Sequence, residues 1–189
     1  MATLNVFNFM SLDGYYKGVS EDISWHKQGT GPEEAQFAEE GAKSESILLF
    51  GRVTYQMMAS FWPTPQAFKA MPGVAEGMNR SEKVVVSRTL KTADWNNTRI
   101  LHGDLGQEIG KLKASAKHPI TILGSGSLIT QLADLGLIDS YQFMLDPIAI
   151  GKGTPIFHGL KRPIHLTLVG TRVFRSGTIV LTYKPQAHE

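Results

Sequence analysis

The order of short apolar runs constrains this chain more than any single motif. Residues 4–9, 46–51, 83–87 and 119–124 are rich in Val, Ile, Leu and Phe and end near glycine or polar residues. Such runs read as strands buried on both faces. Residues 99–101 form a further short strand candidate. Helical patterns fall between them. Residues 31–44 put Pro32 in a first turn beside Glu33 and Glu34, as a helix start prefers. Residues 104–117 carry Leu105, Ile109, Leu112 and Ala116 on one stripe, and Asp104 with Gln107 resembles a capping box. Residues 127–136 set Leu128, Leu132 and Leu135 on one face before Gly136, a helix-ending glycine. Beyond residue 138 the pattern changes to strands alone: 140–150, 164–174 and 177–185, the last two joined through Arg175, Ser176 and Gly177. Strand–helix alternation followed by strands predicts an α/β fold. Its sheet is mixed and mostly parallel, flanked by helices and finished by an antiparallel hairpin.

At 189 residues, 42% hydrophobic and 19% charged, the chain suits one domain over 1–189 with a sizeable core. It has no cysteine, which excludes disulfides, thiolate metal sites and cysteine nucleophiles and fits a reducing cytoplasm. The six histidines show no metal-ligand spacing, so no metal is expected. A net charge of +2 without a dense Lys/Arg cluster argues against nucleic acid. No run approaches the roughly 18 apolar residues of a membrane span, and the first residues do not read as a leader. The expectation is a cytoplasmic protein with a small-molecule ligand.

Three glycine- or arginine-bearing junctions follow strands. In Gly51-Arg52-Val53-Thr54, a helix starting near Val53 would aim free N–H groups at an anion above Gly51. Arg52 reads either as a solvated residue at a helix start or as a fork for phosphate, with Thr54 adding a hydroxyl. Ser87 and Arg88 lie at the carboxyl end of the Val84–Val86 run, where ligands gather in open α/β sheets. A surface arginine is the plain alternative. Gly124-Ser125-Gly126 precedes Ser127 and Leu128 at a helix start and lacks the third glycine of a Rossmann fingerprint. It reads as a tight turn or as a pyrophosphate cradle.

Other features compete. Asp13 follows the first strand and either contacts a substrate or makes a turn with Gly14. Trp25 either lines a ring-shaped pocket or packs in a core or loop. Asp146 before Pro147 marks a bulge or an edge, and Phe61-Trp62-Pro63 a core anchor. The sequence 151–154 suggests a P-loop, but Pro147 stands where that motif needs glycine.

The order of these segments is more specific than any one of them. SLDG (11–14), LLFGRVTY (48–55), VVVSR (84–88), ILGSGSLITQL (122–132) and LDPIAIGKGTPIF (145–157) together resemble the dihydrofolate reductase-like superfamily. Within it, they are similar to bacterial proteins related to the RibD C-terminal domain, the reductase part of the riboflavin-biosynthesis deaminase/reductase. The resemblance spans essentially the whole chain. It implies a dihydrofolate reductase-like fold, NADPH as cofactor and hydride transfer to a small heterocycle or ribosylamino-pyrimidine. The implied activity is similar to that of 5-amino-6-(5-phosphoribosylamino)uracil reductase. Dihydrofolate reductase-type activity and a cofactor- or metabolite-binding protein without turnover are the other expectations on the same fold. By the same resemblance Gly51, Arg52 and Thr54 match the first cofactor loop. Ser87 and Arg88 match the segment that holds the adenosine 2′-phosphate, and Gly124, Ser125, Gly126, Ser127 and Leu128 match the loop over the pyrophosphate and nicotinamide. A homodimer is also implied. One departure stands out: dihydrofolate reductases carry an acidic residue on the helix after the first loop, preceded by a Leu-Pro segment. Here residues 22–29, DISWHKQG, are read in that place, so no proton donor is assigned.

Overall fold

The computed structural model describes residues 1–26 and 31–186. Eight strands form one sheet: β1 (Leu4–Ser11), β3 (Ile47–Gly51), β4 (Lys83–Val86), β5 (Thr98–Leu101), β6 (Ile120–Leu123), β7 (Ser140–Asp146), β9 (Leu166–Val173) and β10 (Ile179–Pro185). Their order is β5-β4-β3-β6-β1-β7-β10-β9. Pairs from β5 through β7 are parallel, and β10 runs antiparallel to both β7 and β9. The expected mixed, mostly parallel sheet with a closing hairpin is therefore present. A second, two-stranded sheet pairs β2 (Tyr15–Lys17) with β8 (Thr154–Pro155), neither of which the sequence pattern signals.

The helices are α1 (Pro32–Lys43), α2 (Arg52–Phe61), α3 (Pro65–Ala70), α4 (Pro72–Arg80), α5 (Leu105–Ser115) and α6 (Gly126–Asp134). Their starts follow local chemistry. The Asp104 carboxylate accepts the Gln107 N–H at 3.0 Å, as the capping pattern requires. Thr64 caps α3 through the Ala67 N–H at 3.3 Å, with Pro65 at the first helical position. Helices α3 and α4 are too short for their periodicity to announce them. At the end of α6, Gly136 takes the left-handed φ of +66°.

Strand alternation divides the core between the two faces of the sheet. Leu4, Val6, Ile120 and Ile122 pack with Ile109 of α5 and Ile129 and Leu132 of α6. On the other face Phe50 and Val85 pack with Tyr55, Trp62, Val74, Met78 and Trp95. Trp62 is thus the expected core anchor. Leu135 departs from expectation: it is half exposed, because α6 ends before its stripe completes another turn over the sheet.

The GKGT stretch is a packing device. A side chain at Gly153, where φ is +151°, would run into the carbonyl of Lys17. Only glycine lets the chain after β7 approach β2 this closely.

Candidate functional site

Because β4, β3, β6 and β1 are adjacent and parallel, their carboxyl ends share one edge of the sheet. That arrangement brings together the three junctions read from sequence. Gly51 closes β3 and caps α2, Ser87 follows β4, and Gly124 follows β6.

The first and third junctions are locked to each other. The Gly51 N–H donates to Ser125 Oγ at 3.0 Å, and the Ser125 N–H donates to Thr54 Oγ1 at 3.2 Å. Gly124 and Ser125 both have positive φ, at +61° and +57°. A non-glycine residue there costs about 1–2 kcal/mol, and the two cross-junction bonds hold it. The lock sets the N-termini of α2 and α6 beside one another, each with N–H groups that lack intrahelical partners. Gly126 is buried under the Tyr16 ring, where a Cβ would lie 2.5 Å from ring carbon.

The named side chains divide by orientation. Arg52 and Arg88 are exposed; Arg52 Nη1 donates to Gln56 at 3.1 Å. Ser87 is buried, and its hydroxyl accepts the N–H groups of Thr89 and Leu90 at 3.2 and 2.9 Å. Ser127 is exposed, whereas Leu128 belongs to the core. The chemistry of this donor set suits an anion with several phosphates: paired helix N-termini, close backbone approach at glycine and two exposed guanidinium groups.

A cleft of about 1010 Å³ opens beside this edge. Its floor is Phe7 and Phe9 of β1, Leu123 of β6 and Met144 of β7; its walls include Phe37 of α1 and Thr54 and Met57 of α2. An apolar cleft with few polar groups at its rim is the usual form of a small-molecule site.

Asp13 lies at the loop beyond. Its carboxylate accepts the Ser11 hydroxyl at 2.7 Å and the N–H groups of Ile150 and Gly151 at 3.1 and 2.7 Å. The Ser11 hydrogen bond is the largest cause holding its pKa below the usual carboxylate value, and the two amides act in the same direction. Asp13 therefore ties the loop after β7 to the end of β1, from within a turn closed by the Gly14 N–H to the Ser11 carbonyl at 2.9 Å. Trp25 packs edge-on to His26 with ring centroids 6.1 Å apart. Its indole N–H is buried without a partner among the described residues.

Several cleft residues carry no clear signal in the sequence. Asp146 sits on no edge and no bulge: β7 lies between β1 and β10, and Asp146 ends it in register with Ser11. It is buried and bonded to His26 Nδ1 at 2.5 Å. The helix after the first loop is α1, and it carries a buried acidic residue, Glu34 (27–29 lie outside the described residues). Glu34 follows Pro32 by two positions, is buried, lines the cleft and accepts the Ser176 hydroxyl. The Thr178 N–H donates to Ser176 Oγ at 3.2 Å, and its hydroxyl to Asp146 at 3.3 Å. The β9–β10 turn thus braces both carboxylates. Pro32-Glu33-Glu34 is a visible signal, but a first-turn acid reads as a dipole partner until burial is known.

Comparison with known proteins agrees with this architecture. A relative in Bacillus subtilis (strain 168), the uncharacterized protein YyaP, is 26% identical over 174 residues, 92% of this chain and 90% of that protein. A crystal structure of a protein assigned to riboflavin biosynthesis, from Shewanella sp. PV-4, superposes with a TM-score of 0.77 at 22% identity, covering 99% of this chain and 100% of that one. The diaminohydroxyphosphoribosylaminopyrimidine deaminase/5-amino-6-(5-phosphoribosylamino)uracil reductase of Thermotoga maritima gives a TM-score of 0.65 at 12% identity; the match covers 98% of this chain and 57% of that longer one. These likenesses share the fold, and the model of the RibD C-terminal domain matches residues 2–180, so the chain belongs to the RibD C-terminal domain family.

Proposed function

We propose that this protein is an NADPH-dependent reductase acting on a small nitrogen heterocycle. The reaction is of the kind for which the Thermotoga maritima relative is named, the reduction of 5-amino-6-(5-phosphoribosylamino)uracil. The observation that carries the reading is the lock between Gly51, Thr54 and Ser125, which sets two helix N-termini at the mouth of an apolar cleft. In this reading the backbone at Gly51 and at 124–127 holds the pyrophosphate. Arg52 and Arg88 supply the charge that a 2′-phosphate needs. Leu128 contributes by packing, which fixes α6 against the sheet. When bound, the reduced nicotinamide supplies a hydride. The chain orients the acceptor between Phe9 and the α1 wall and keeps water out.

The test is cofactor preference. A charged hydrogen bond contributes about 1.5–3 kcal/mol, so losing an arginine–phosphate contact should weaken NADPH by roughly tenfold to a hundredfold. Calorimetric titration of Arg52→Ala and Arg88→Ala should show that loss for NADPH and little change for NADH. Equal losses for both cofactors would reject the 2′-phosphate role, and no binding of either by the unmodified protein would reject the reductase reading.

A further inference from the structure

The cleft wall holds a polar group apart from the glycine junctions. The imidazole of His26 lies flat on Phe9, with centroids 3.5 Å apart and planes 21° apart. Its Nδ1 meets Asp146 Oδ2 at 2.5 Å, while Asp146 Oδ1 accepts the Thr178 hydroxyl at 3.3 Å. The His26 and Asp146 side chains are only 7% and 11% exposed, yet all four residues border the cleft. Stacking and the carboxylate together fix the ring plane. With Nδ1–H donated to a carboxylate, the proton that can be exchanged is the one on Nε2.

We propose that His26 is the proton donor of the reduction and that Asp146 is its positioning residue. This rests on the reductase reading above. For a C=N acceptor, the carbon gains the hydride of the reduced nicotinamide, and the π pair moves to nitrogen. The nitrogen takes the proton from Nε2. The imidazolium becomes neutral imidazole, Nδ1–H stays with Asp146, and a solvent proton restores the donor. The nicotinamide is oxidised and the acceptor reduced by two electrons, so charge and atoms balance.

Among the described residues, the other titratable groups on the wall are otherwise engaged. Glu34 of α1 takes the Ser176 hydroxyl, Lys17 of β2 pairs with Glu21 at 2.5 Å, and Tyr16 of β2 covers Gly126.

The experiment uses the full chain with NADPH and 5-amino-6-(5-phosphoribosylamino)uracil, comparing His26→Gln and Asp146→Asn with the unmodified protein. General acid catalysis is worth about 10²–10⁴-fold. His26→Gln should lower kcat by that order and erase the alkaline limb of its pH profile. Asp146→Asn should lower kcat by less than His26→Gln, because the donor remains and only its orientation is lost. NADPH affinity, measured by fluorescence titration, should stay within about twofold in both, because neither residue lies at the glycine junctions. Imidazole NMR gives a readout independent of turnover: the Nδ1–H signal of His26, held downfield by the bond to Asp146, should move upfield in Asp146→Asn. Unchanged kcat and pH limb in His26→Gln would overturn the assignment, as would an unmoved His26 Nδ1–H signal in Asp146→Asn. Failure of the unmodified protein to oxidise NADPH with this pyrimidine would overturn the reductase reading, and the donor role with it.

Discussion

Gly77 sits where α4 crosses α1, and replacing it with alanine sets two effects of opposite sign against each other. A Cβ at Gly77 would lie 2.8 Å from the carbonyl carbon and Cβ of Ala42 and nearer still to its carbonyl oxygen. Ordinary contact begins near 3.4 Å, so the helices would have to part by about an ångström. The obstacle is backbone and cannot rotate away. Alanine inside a helix gains about 1 kcal/mol over glycine, whereas forcing a methyl group into a packed interface costs about 1–3 kcal/mol. A backbone clash belongs at the upper end of that range, so the net loss should be about 1–2 kcal/mol. For a protein of this size that lowers Tm by roughly 2–8 °C. Gly110 in α5 is the matched control, because nothing lies within 4 Å of its Cβ position. Gly110→Ala should gain the helix propensity alone and raise Tm by about 2–4 °C. Urea denaturation and calorimetry of the two variants measure both. A Gly77→Ala protein as stable as, or more stable than, the parent would refute the close crossing. Because α1 also carries Glu34 and Phe37 on the cleft wall, the same crossing sets the width of the cleft.

Two further outcomes follow from buried and tethered charge. Lys83 is fully buried; its ammonium donates to the carbonyls of Met78, Asn79 and Ser81 at 2.9, 3.2 and 2.7 Å and lies 4.5 Å from the Trp95 ring centre. Lys83→Met takes the ammonium from all three carbonyls at the end of α4, of which Asn79 keeps a long bond from Asn97, and should cost about 2–4 kcal/mol in urea denaturation. Burial also pushes the Lys83 amine down to about 8 from 10.5. Between those values the unfolded chain binds the proton and the folded chain does not, so this group makes stability rise with pH there. The gain should be absent in Lys83→Met; equal alkaline slopes in the two proteins would contradict it. Tyr141, pushed up by burial to about 12, acts oppositely above its ordinary value of 10 and is common to both proteins. Asp13→Ala should release the loop at Ile150 and Gly151, seen as faster exchange of the Gly151 amide. In the parent, the lowered Asp13 pKa keeps that tether through mildly acid pH and loses it only as pH falls below the usual carboxylate value of 3.8. Unchanged exchange in the variant would remove Asp13 from that role.

Local chemistry is legible in the sequence by itself. Asp104 announces α5 because a cap acts within three residues, and the Val84–Val86 run announces β4 because burial on both faces needs no partner to be recognised. The glycine junctions can also be placed at strand ends, since backbone approach and positive φ are short-range demands. Tertiary structure alone decides which strands are neighbours, and so which junctions share an edge. It also pairs His26 with Asp146 across 120 residues and Ser176 with Glu34 across 142. In sequence, Glu34 is a helix-start acid, Asp146 a residue before proline and Ser176 part of a turn. Each acquires a cleft role only through burial and a distant partner, and those depend on the summed packing of the whole sheet, which no local window contains.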